Sequence, residues 1–146
     1  MSSDRLSSEN VHATTVAKNG RAVLISGPSG SGKSDLALRL FDRGFQLVSD
    51  DRTLLRKDGA RLVASAPPTI EGRLEVRGIG IVDVDHLSEA VVALVVELSR
   101  DIDRLPEQGA QRTIRGVSVP VVAIDAQTAS AAAKVELALD RRGLAL

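Results

Sequence analysis

Residues 24–34 read Leu-Ile-Ser-Gly-Pro-Ser-Gly-Ser-Gly-Lys-Ser, and residues 35–44 continue Asp-Leu-Ala-Leu-Arg-Leu-Phe-Asp-Arg-Gly. Within this stretch Gly27–Ser34 fits the pattern Gly-x-x-x-x-Gly-Lys-Ser/Thr of a phosphate-binding loop. The apolar run Ala22–Ile25 before it predicts a buried strand. Leu36 and Leu40 after it lie one helical turn apart, which predicts a helix that Gly44 ends. Strand, glycine-rich loop and helix are the order that the motif requires, so the stretch predicts a nucleotide or phosphate site.

The residue types of the loop explain the expected chemistry. Glycines let successive backbone N–H groups turn inward around an anion, and the helix N-terminus adds partial positive charge. Lys33 is expected to reach the β- and γ-phosphates, and the Ser34 hydroxyl to bind Mg²⁺. The predicted nucleotide-binding residues are Gly27, Pro28, Ser29, Gly30, Ser31, Gly32, Lys33 and Ser34.

Two dipeptides predict antiparallel hairpins on either side of this unit. Asn19-Gly20 lies between two strand-like runs within Val11–Ser26, and Asp58-Gly59 separates Thr53–Arg56 from Arg61–Ala64. Both dipeptides favour the positive φ angles of tight hairpin turns. A strand is also predicted at Phe45–Ser49. The sequence therefore predicts two antiparallel hairpins in addition to the strand, loop and helix of the phosphate site.

The second half of the chain continues this pattern. Val91–Leu98 predicts a buried strand, Ser99–Gln111 a loop, and Val117–Ile124 a strand in which Pro120 suggests an edge position. Charges and glycines alternate with apolar residues in Leu74–Asp83, a pattern typical of a bulge or a close backbone approach. The alanine-rich stretch Ser130–Arg142, followed by Gly143, predicts a final helix.

Composition narrows the classes of function. The chain has 146 residues, no cysteine, only two aromatic residues and 19 charges of each sign. These values exclude a disulfide scaffold and a cysteine nucleophile, and they argue against a nucleic-acid partner. The longest apolar run is too short to span a bilayer, and the polar N-terminus does not resemble a signal peptide. We expect a cytoplasmic protein with a flexible lead-in at residues 1–9 and one catalytic domain at residues 10–146.

Asp50 and Asp51 directly follow the strand Phe45–Ser49. Phosphoryl transfer needs a carboxylate near the metal and a base that takes a proton from the acceptor hydroxyl. Their place at a strand end, next after the helix of the loop, makes both candidates for these roles. Glu75 and Arg77 are charged residues inside a strand-like run, and such charges need partners. Spacing alone assigns no role to His12 or Arg104.

The block Leu24–Leu40, followed by Arg43–Asp51, resembles the catalytic domain of bacterial HPr kinase/phosphorylase. Leu74–Asp83 resembles the signature of that family, and Asp103-Arg104-Leu105 resembles a third family block. The similarity extends from about His12 to Leu139. The fold it implies is α/β, with the phosphate loop on a mixed sheet with antiparallel hairpins, as in the nucleotide-binding part of phosphoenolpyruvate carboxykinases. The two predicted hairpins agree with this fold.

The resemblance implies phosphorylation of a serine of the phosphocarrier HPr of the sugar phosphotransferase system, with ATP or pyrophosphate and Mg²⁺. It implies that Asp50 is the general base and that Lys33 neutralises the transferred phosphate. His12, Arg77 and Arg104 would complete the catalytic set, and the metal would be held by Ser34, Glu75 and Asp51. It also implies a homo-oligomer, a hexamer in the family, and no nucleic-acid or membrane partner.

The sequence departs from the family at three places. We expect the usual N-terminal domain to be absent, and Asp35 replaces the glutamate common after the loop. Ala123–Thr128 does not match the Pro-Gly-Arg-Asn-type loop tied to dephosphorylation, so kinase activity is expected and the reverse phosphorylase reaction is doubtful. The residues also leave open a nucleotide-sensing module without transfer activity and a small-molecule kinase with a phosphate-binding loop.

Overall fold

The computed structural model describes residues 9–102 and 109–146, which form a large mixed sheet, a separate hairpin and two helices. The helices are α1 (Lys33–Phe41) and α2 (Ala131–Arg142). The strands are β1 (Glu9–Val11), β2 (Ala13–Lys18), β3 (Arg21–Ser26), β4 (Gln46–Ser49), β5 (Thr53–Asp58), β6 (Arg61–Ser65), β7 (Arg73–Val76), β8 (Gly80–Asp83), β9 (Glu89–Leu98), β10 (Gln111–Ile114) and β11 (Val117–Ile124).

The large sheet mixes parallel and antiparallel pairs. Its main path runs β1-β5-β6-β9-β3-β2-β4, and β11 joins it along the second half of β9. Strand β3 is parallel to β9 and antiparallel to β2, so it lies in the interior of the sheet as predicted. The predicted mixed α/β sheet with antiparallel hairpins is confirmed.

Apolar side chains are buried on both faces of the sheet. One face packs against α1 and α2 through buried residues such as Leu36, Leu40 and Leu139. On the other face, a second cluster of buried apolar residues includes side chains from β5, β6 and β11 of the same sheet, among them the fully buried Leu55, Leu62 and Val119. Burial on both faces explains why β3 and the middle of β9 are apolar without alternation.

Both predicted hairpin turns are present. Asn19 and Gly20 have φ angles of 53° and 78° between β2 and β3, and Gly59 has a φ of 61° between β5 and β6. Gly44 is left-handed after α1, where the N–H of Phe45 donates to the carbonyl of Leu40 at 3.3 Å. This arrangement is the glycine helix end that the sequence predicts.

Of three local expectations, those for Leu74–Asp83 and Gly143 differ from the structure, and that for Pro120 does not. Leu74–Asp83 forms the hairpin β7–β8, in which Gly78 lies in the turn and not in a bulge. Pro120 is paired with β10 alone, because β11 pairs with β9 only from Val121 onward, so a residue without an N–H lies where the strand has one partner, as the sequence suggests. Gly143 is extended (φ −63°, ψ 150°) and not left-handed, and a Cβ there would lie 2.5 Å from the Leu139 carbonyl. A close approach therefore explains this glycine.

Glu136 of α2 connects this helix to the last residue of β2 and to the turn that follows α1. Glu136 accepts hydrogen bonds from Lys18 at 2.6 Å and from Arg43 at 3.0 Å. The bond from Lys18 has the largest effect, and together the two bonds hold the pKa of Glu136 below its ordinary value of 4.5. Ionised Glu136 therefore stabilises the folded state.

We expect Glu136→Gln to lower the melting temperature at pH 7. Because the folded-state pKa is depressed, this contribution is present above the ordinary value and is lost as the pH falls through the folded value. Thermal unfolding of both proteins at pH 7 and at about pH 3 should show the difference shrinking in acid. Asp140→Asn is the control, since Asp140 is 63% exposed and lies 3.8 Å from Arg21. An equal loss at both pH values would contradict the role of the charge.

Candidate active site

The ends of several strands meet at one edge of the sheet. Strands β3, β9 and β11 are parallel, and β4 runs in the same direction because both β3 and β4 are antiparallel to β2. Their carboxyl ends therefore share an edge, where Ser26 pairs with Glu97 and Ile124 with Leu98. The loops that follow β3, β4 and β11 contribute residues to a crevice there, the usual place for a ligand in an open α/β sheet.

The glycine-rich loop turns sharply at this edge. Gly30 and Gly32 have φ angles of 80° and 99°, which other residues rarely adopt. A Cβ on Gly32 would also lie 3.3 Å from the Cβ of Ala126, in the loop after β11. The carbonyl of Gly32 accepts the first helical hydrogen bond, from the N–H of Leu36 at 2.9 Å. The loop thus ends directly on the N-terminus of α1, where an anion is favoured.

Lys33 is 6% exposed, and its Nζ donates to the carbonyls of Gly27 at 2.8 Å and Pro28 at 3.1 Å. The ammonium therefore lies over the loop itself. Ser31 Oγ is buried and has no hydrogen-bond partner within the described part of the chain. A cation held over the loop and an unpaired hydroxyl within it are what an incoming phosphate oxygen could satisfy.

Asp50 follows β4 and is only 7% exposed. Its Oδ1 accepts hydrogen bonds from Ser34 Oγ at 2.6 Å and from Thr14 Oγ1 at 3.1 Å. Its Oδ2 accepts a hydrogen bond from the backbone N–H of Glu75 at 3.0 Å. The carboxylate therefore contacts the phosphate loop directly and joins β2, α1 and β7.

Asp51 differs from its neighbour in exposure and backbone conformation. It is exposed, lines the cleft beside the loop and has a φ of 66°. The N–H of Arg52 donates to the carbonyl of Asp50 at 2.7 Å, so Asp51 is the middle residue of a three-residue turn. Turns of this kind with a positive central φ are rare and strained, and such strain often occurs at functional sites.

The hairpin β7–β8 forms the wall of the cleft opposite the loop. Leu74 anchors it in the core, whereas Glu75, Arg77 and Ile79 line the cleft, which has a volume of about 900 Å³. Glu75 and Arg77 are both exposed. The structure thus brings the loop, Asp51, Glu75 and Arg77 to the lining of one cleft. Asp50 does not itself line this cleft, but it contacts two residues that do, Ser34 and Glu75.

The other two predicted site residues, His12 and Arg104, are not among the described residues that line the cleft. His12 is exposed and immediately precedes Ala13, which pairs with Ser26, so its backbone lies at the same sheet edge as Gly27. It does not line the cleft. Arg104, with the block Asp103-Arg104-Leu105, lies outside the described residues; strand β9, which precedes it, ends at this edge.

The site also fits a magnesium nucleotide by its donor set. Ser34, Asp51 and Glu75 supply hydroxyl and carboxylate oxygens, the ligands that Mg²⁺ prefers. Within residues 9–102 and 109–146 no group of three His, Cys, Asp or Glu side chains is close enough to cage a metal. An ion bound by one or two carboxylates together with substrate phosphates matches this sparse set.

Sequence reasoning missed Thr14 and Gln127. Thr14 and Thr15 are neighbouring threonines of β2, and no local sequence pattern shows which of them contacts the site. Gln127 lines the cleft from the loop after β11. That loop is gripped by Arg39, which donates to the carbonyls of Ala126 at 2.6 Å and Thr128 at 3.2 Å. The parallel pairing of β11 with β9, which brings Gln127 to the site, is a long-range feature.

No helix among the described residues is long and apolar enough to cross a membrane.

Comparison with known proteins gives concordant results. The family model described as HPr Serine kinase C-terminal domain matches residues 4–141. An HPr kinase/phosphorylase of Limosilactobacillus reuteri is 38% identical over 133 residues, covering 82% of this chain and 42% of the relative. That of Lactiplantibacillus plantarum is 37% identical with the same coverage. The chain thus spans about two fifths of the length of these curated relatives.

A solved structure agrees with the sequence relatives. The Hpr(Ser) kinase/phosphatase of Coxiella burnetii superposes with a TM-score of 0.78 and 28% identity, covering 90% of this chain and 94% of that chain. The family match over nearly the whole chain and the shared fold support the same conclusion: this chain belongs to the HPr serine kinase C-terminal domain family.

Proposed function

We propose that the chain is an ATP-dependent protein serine kinase that phosphorylates an HPr-like phosphocarrier, with Mg²⁺ as cofactor. The observation that carries the proposal is the contact between Asp50 and Ser34, because it joins a candidate base to a phosphate-loop residue that lines an open cleft. The family and the relatives named above support the choice of acceptor.

In the proposed reaction the loop and Lys33 hold the γ-phosphate of ATP. The acceptor serine oxygen forms a bond to the γ-phosphorus as the bond from that phosphorus to the β–γ bridging oxygen breaks. Asp50 takes the serine proton, and ADP leaves with the bridging oxygen. Catalysis of this kind depends on positioning and on stabilisation of charge.

The remaining residues hold charge and metal around this step. Ser34, Asp51 and Glu75 would hold Mg²⁺, which supplies charge neutralisation of the phosphate oxygens when bound. Arg77 lies on the cleft wall, where a cation would stabilise transferred charge. His12 and Arg104 complete the proposed catalytic set. The cytoplasmic location and self-association as a homo-oligomer stay predictions, as does the weakness of the reverse phosphorylase reaction.

The first test is the transfer itself. The purified chain, ATP, Mg²⁺ and a cognate HPr are incubated, and the modified residue is located by mass spectrometry; we expect phosphoserine on HPr. Binding of ATP without any transfer would contradict the kinase proposal and favour a nucleotide-sensing module. Transfer only to a metabolite would instead identify a small-molecule kinase.

Asp50→Asn should lower kcat for HPr phosphorylation by about 10²- to 10⁴-fold, the usual contribution of a general base. Nucleotide affinity, measured by calorimetry, should stay within about threefold of the wild type, since Asp50 acts on the acceptor and not on ATP. Loss of nucleotide binding together with activity would contradict the role of a base.

Lys33→Met should weaken nucleotide binding about 10- to 100-fold, because each hydrogen bond to a charged group contributes about 1.5–3 kcal/mol. The affinity is measured by titration with ATP under the same conditions. Lys134→Met is a matched control, because Lys134 lies on α2 and does not line the cleft. Equal affinities of the Lys33→Met variant and the wild type would rule out the phosphate contact.

A further inference from the structure

A single buried hydroxyl holds both residues of the acidic pair. Thr14 on β2 is fully buried, and its Oγ1 donates to Asp50 Oδ1 at 3.1 Å. The same oxygen accepts a hydrogen bond from the backbone N–H of Asp51 at 3.1 Å. A hydroxyl has one hydrogen to donate and two lone pairs to accept with, so it makes both bonds at once.

The bond to the N–H of Asp51 acts at the strained point of the site. Asp51 adopts a φ of 66° in its three-residue turn. A non-glycine residue keeps this conformation only when its surroundings fix it. Thr14 and the internal bond of the turn provide this constraint, so removal of the hydroxyl releases Asp51 toward other conformations.

The bond to Asp50 determines which carboxylate oxygen is available. A carboxylate has about four lone-pair sites, two on each oxygen. Thr14 and Ser34 occupy both sites of Oδ1, whereas Oδ2 accepts only from the N–H of Glu75 among the described residues. Oδ2 therefore keeps one free site, which is where an acceptor hydroxyl can bind.

The strand order explains why this residue comes from β2. Strand β2 lies between β3, which leads into the phosphate loop, and β4, which leads into Asp50. Thr14 pairs with Ile25 of β3, and the next residue, Thr15, pairs with Ser49 of β4. Thr14 is therefore set between the loop and the acidic pair by backbone pairing on both sides.

We propose that Thr14 is a positioning residue for phosphoryl transfer: it orients Asp50 so that Oδ2 meets the acceptor hydroxyl, and it holds the backbone turn of Asp51. This inference rests on the kinase activity proposed above. Thr14 is fully buried and does not line the cleft, so its removal affects the rate of the chemical step more than the binding of nucleotide.

The neighbouring Thr15 offers a matched control on the other side of the strand. It is equally buried, but its Oγ1 lies 2.8 Å from Thr53 Oγ1, which itself donates to the carbonyl of Ala13 at 2.9 Å. The single hydroxyl hydrogen of Thr53 is used in that bond, so the Thr15 hydroxyl is the donor in the hydrogen bond between Thr15 and Thr53. Thr15→Val therefore removes one buried hydroxyl of the same strand without touching Asp50 or Asp51.

The test compares Thr14→Val, Thr14→Ser and Thr15→Val in the phosphorylation of HPr with ATP and Mg²⁺. We expect Thr14→Val to lower kcat about 10- to 100-fold and to raise KM for ATP with Mg²⁺ less, by about fivefold at most, because Asp51 is only one of the three proposed metal ligands. Thr14→Ser should restore kcat to within about threefold, because it keeps the hydroxyl. Thr15→Val should lower the melting temperature and leave kcat within about threefold.

The outcomes separate this inference from the proposal on which it rests. A wild-type chain that transfers no phosphate overturns the proposed kinase and the inference with it. An active wild type with an unchanged Thr14→Val overturns only the positioning role, as does an equal loss of kcat in Thr14→Val and Thr15→Val. If Thr14→Val does not fold, as judged by circular dichroism, Thr14→Ala is measured in its place against the same controls, with the same loss of kcat expected.

Discussion

The hydrogen bonds to the Asp50 carboxylate determine how the site is assembled. A buried charge is tolerated only when donors satisfy it, and the donors here come from β2, α1 and the separate hairpin β7–β8. Those segments are distant in sequence, yet each donates a hydrogen bond to one of the two oxygens of the same carboxylate. The phosphate loop and the cleft wall opposite it are thereby fixed with respect to one another by one side chain.

The sheet makes this convergence possible through strand direction. Four strands end at one edge because β3, β4, β9 and β11 run in the same direction, with β2 entering between two of them. The antiparallel β2 is what distinguishes this sheet from an all-parallel one. It places Thr14 between β3, which leads into the phosphate loop, and β4, which leads into Asp50. In an all-parallel sheet a crossover helix on the face of the sheet would connect such strands, and it would not put a residue between them.

Local signals were sufficient to predict much of this fold from the sequence. The phosphate loop, the Asn19-Gly20 and Asp58-Gly59 turns and the end of α1 at Gly44 each depend on residues close in sequence. The contact of Asp50 with Thr14 joins positions 36 residues apart, and no periodicity reports such a pair. Gly78 and Gly143 were misread for a related reason, since a glycine pattern does not say whether a turn, a bulge or a close approach requires it. The position of Gln127 at the cleft likewise depends on parallel pairing between distant strands.

Arg39 has a consequence for how the site can change over time. Its guanidinium holds the loop after β11 through the carbonyl oxygens of Ala126 and Thr128. Every amino acid carries that carbonyl, so the anchor is indifferent to which side chains the loop displays. Gln127 lies between the two anchored residues and faces the cleft. Substitutions at position 127 therefore leave the hydrogen bonds that hold this loop unchanged. Evolution can vary this side chain, and with it the lining of the cleft, at little cost in stability.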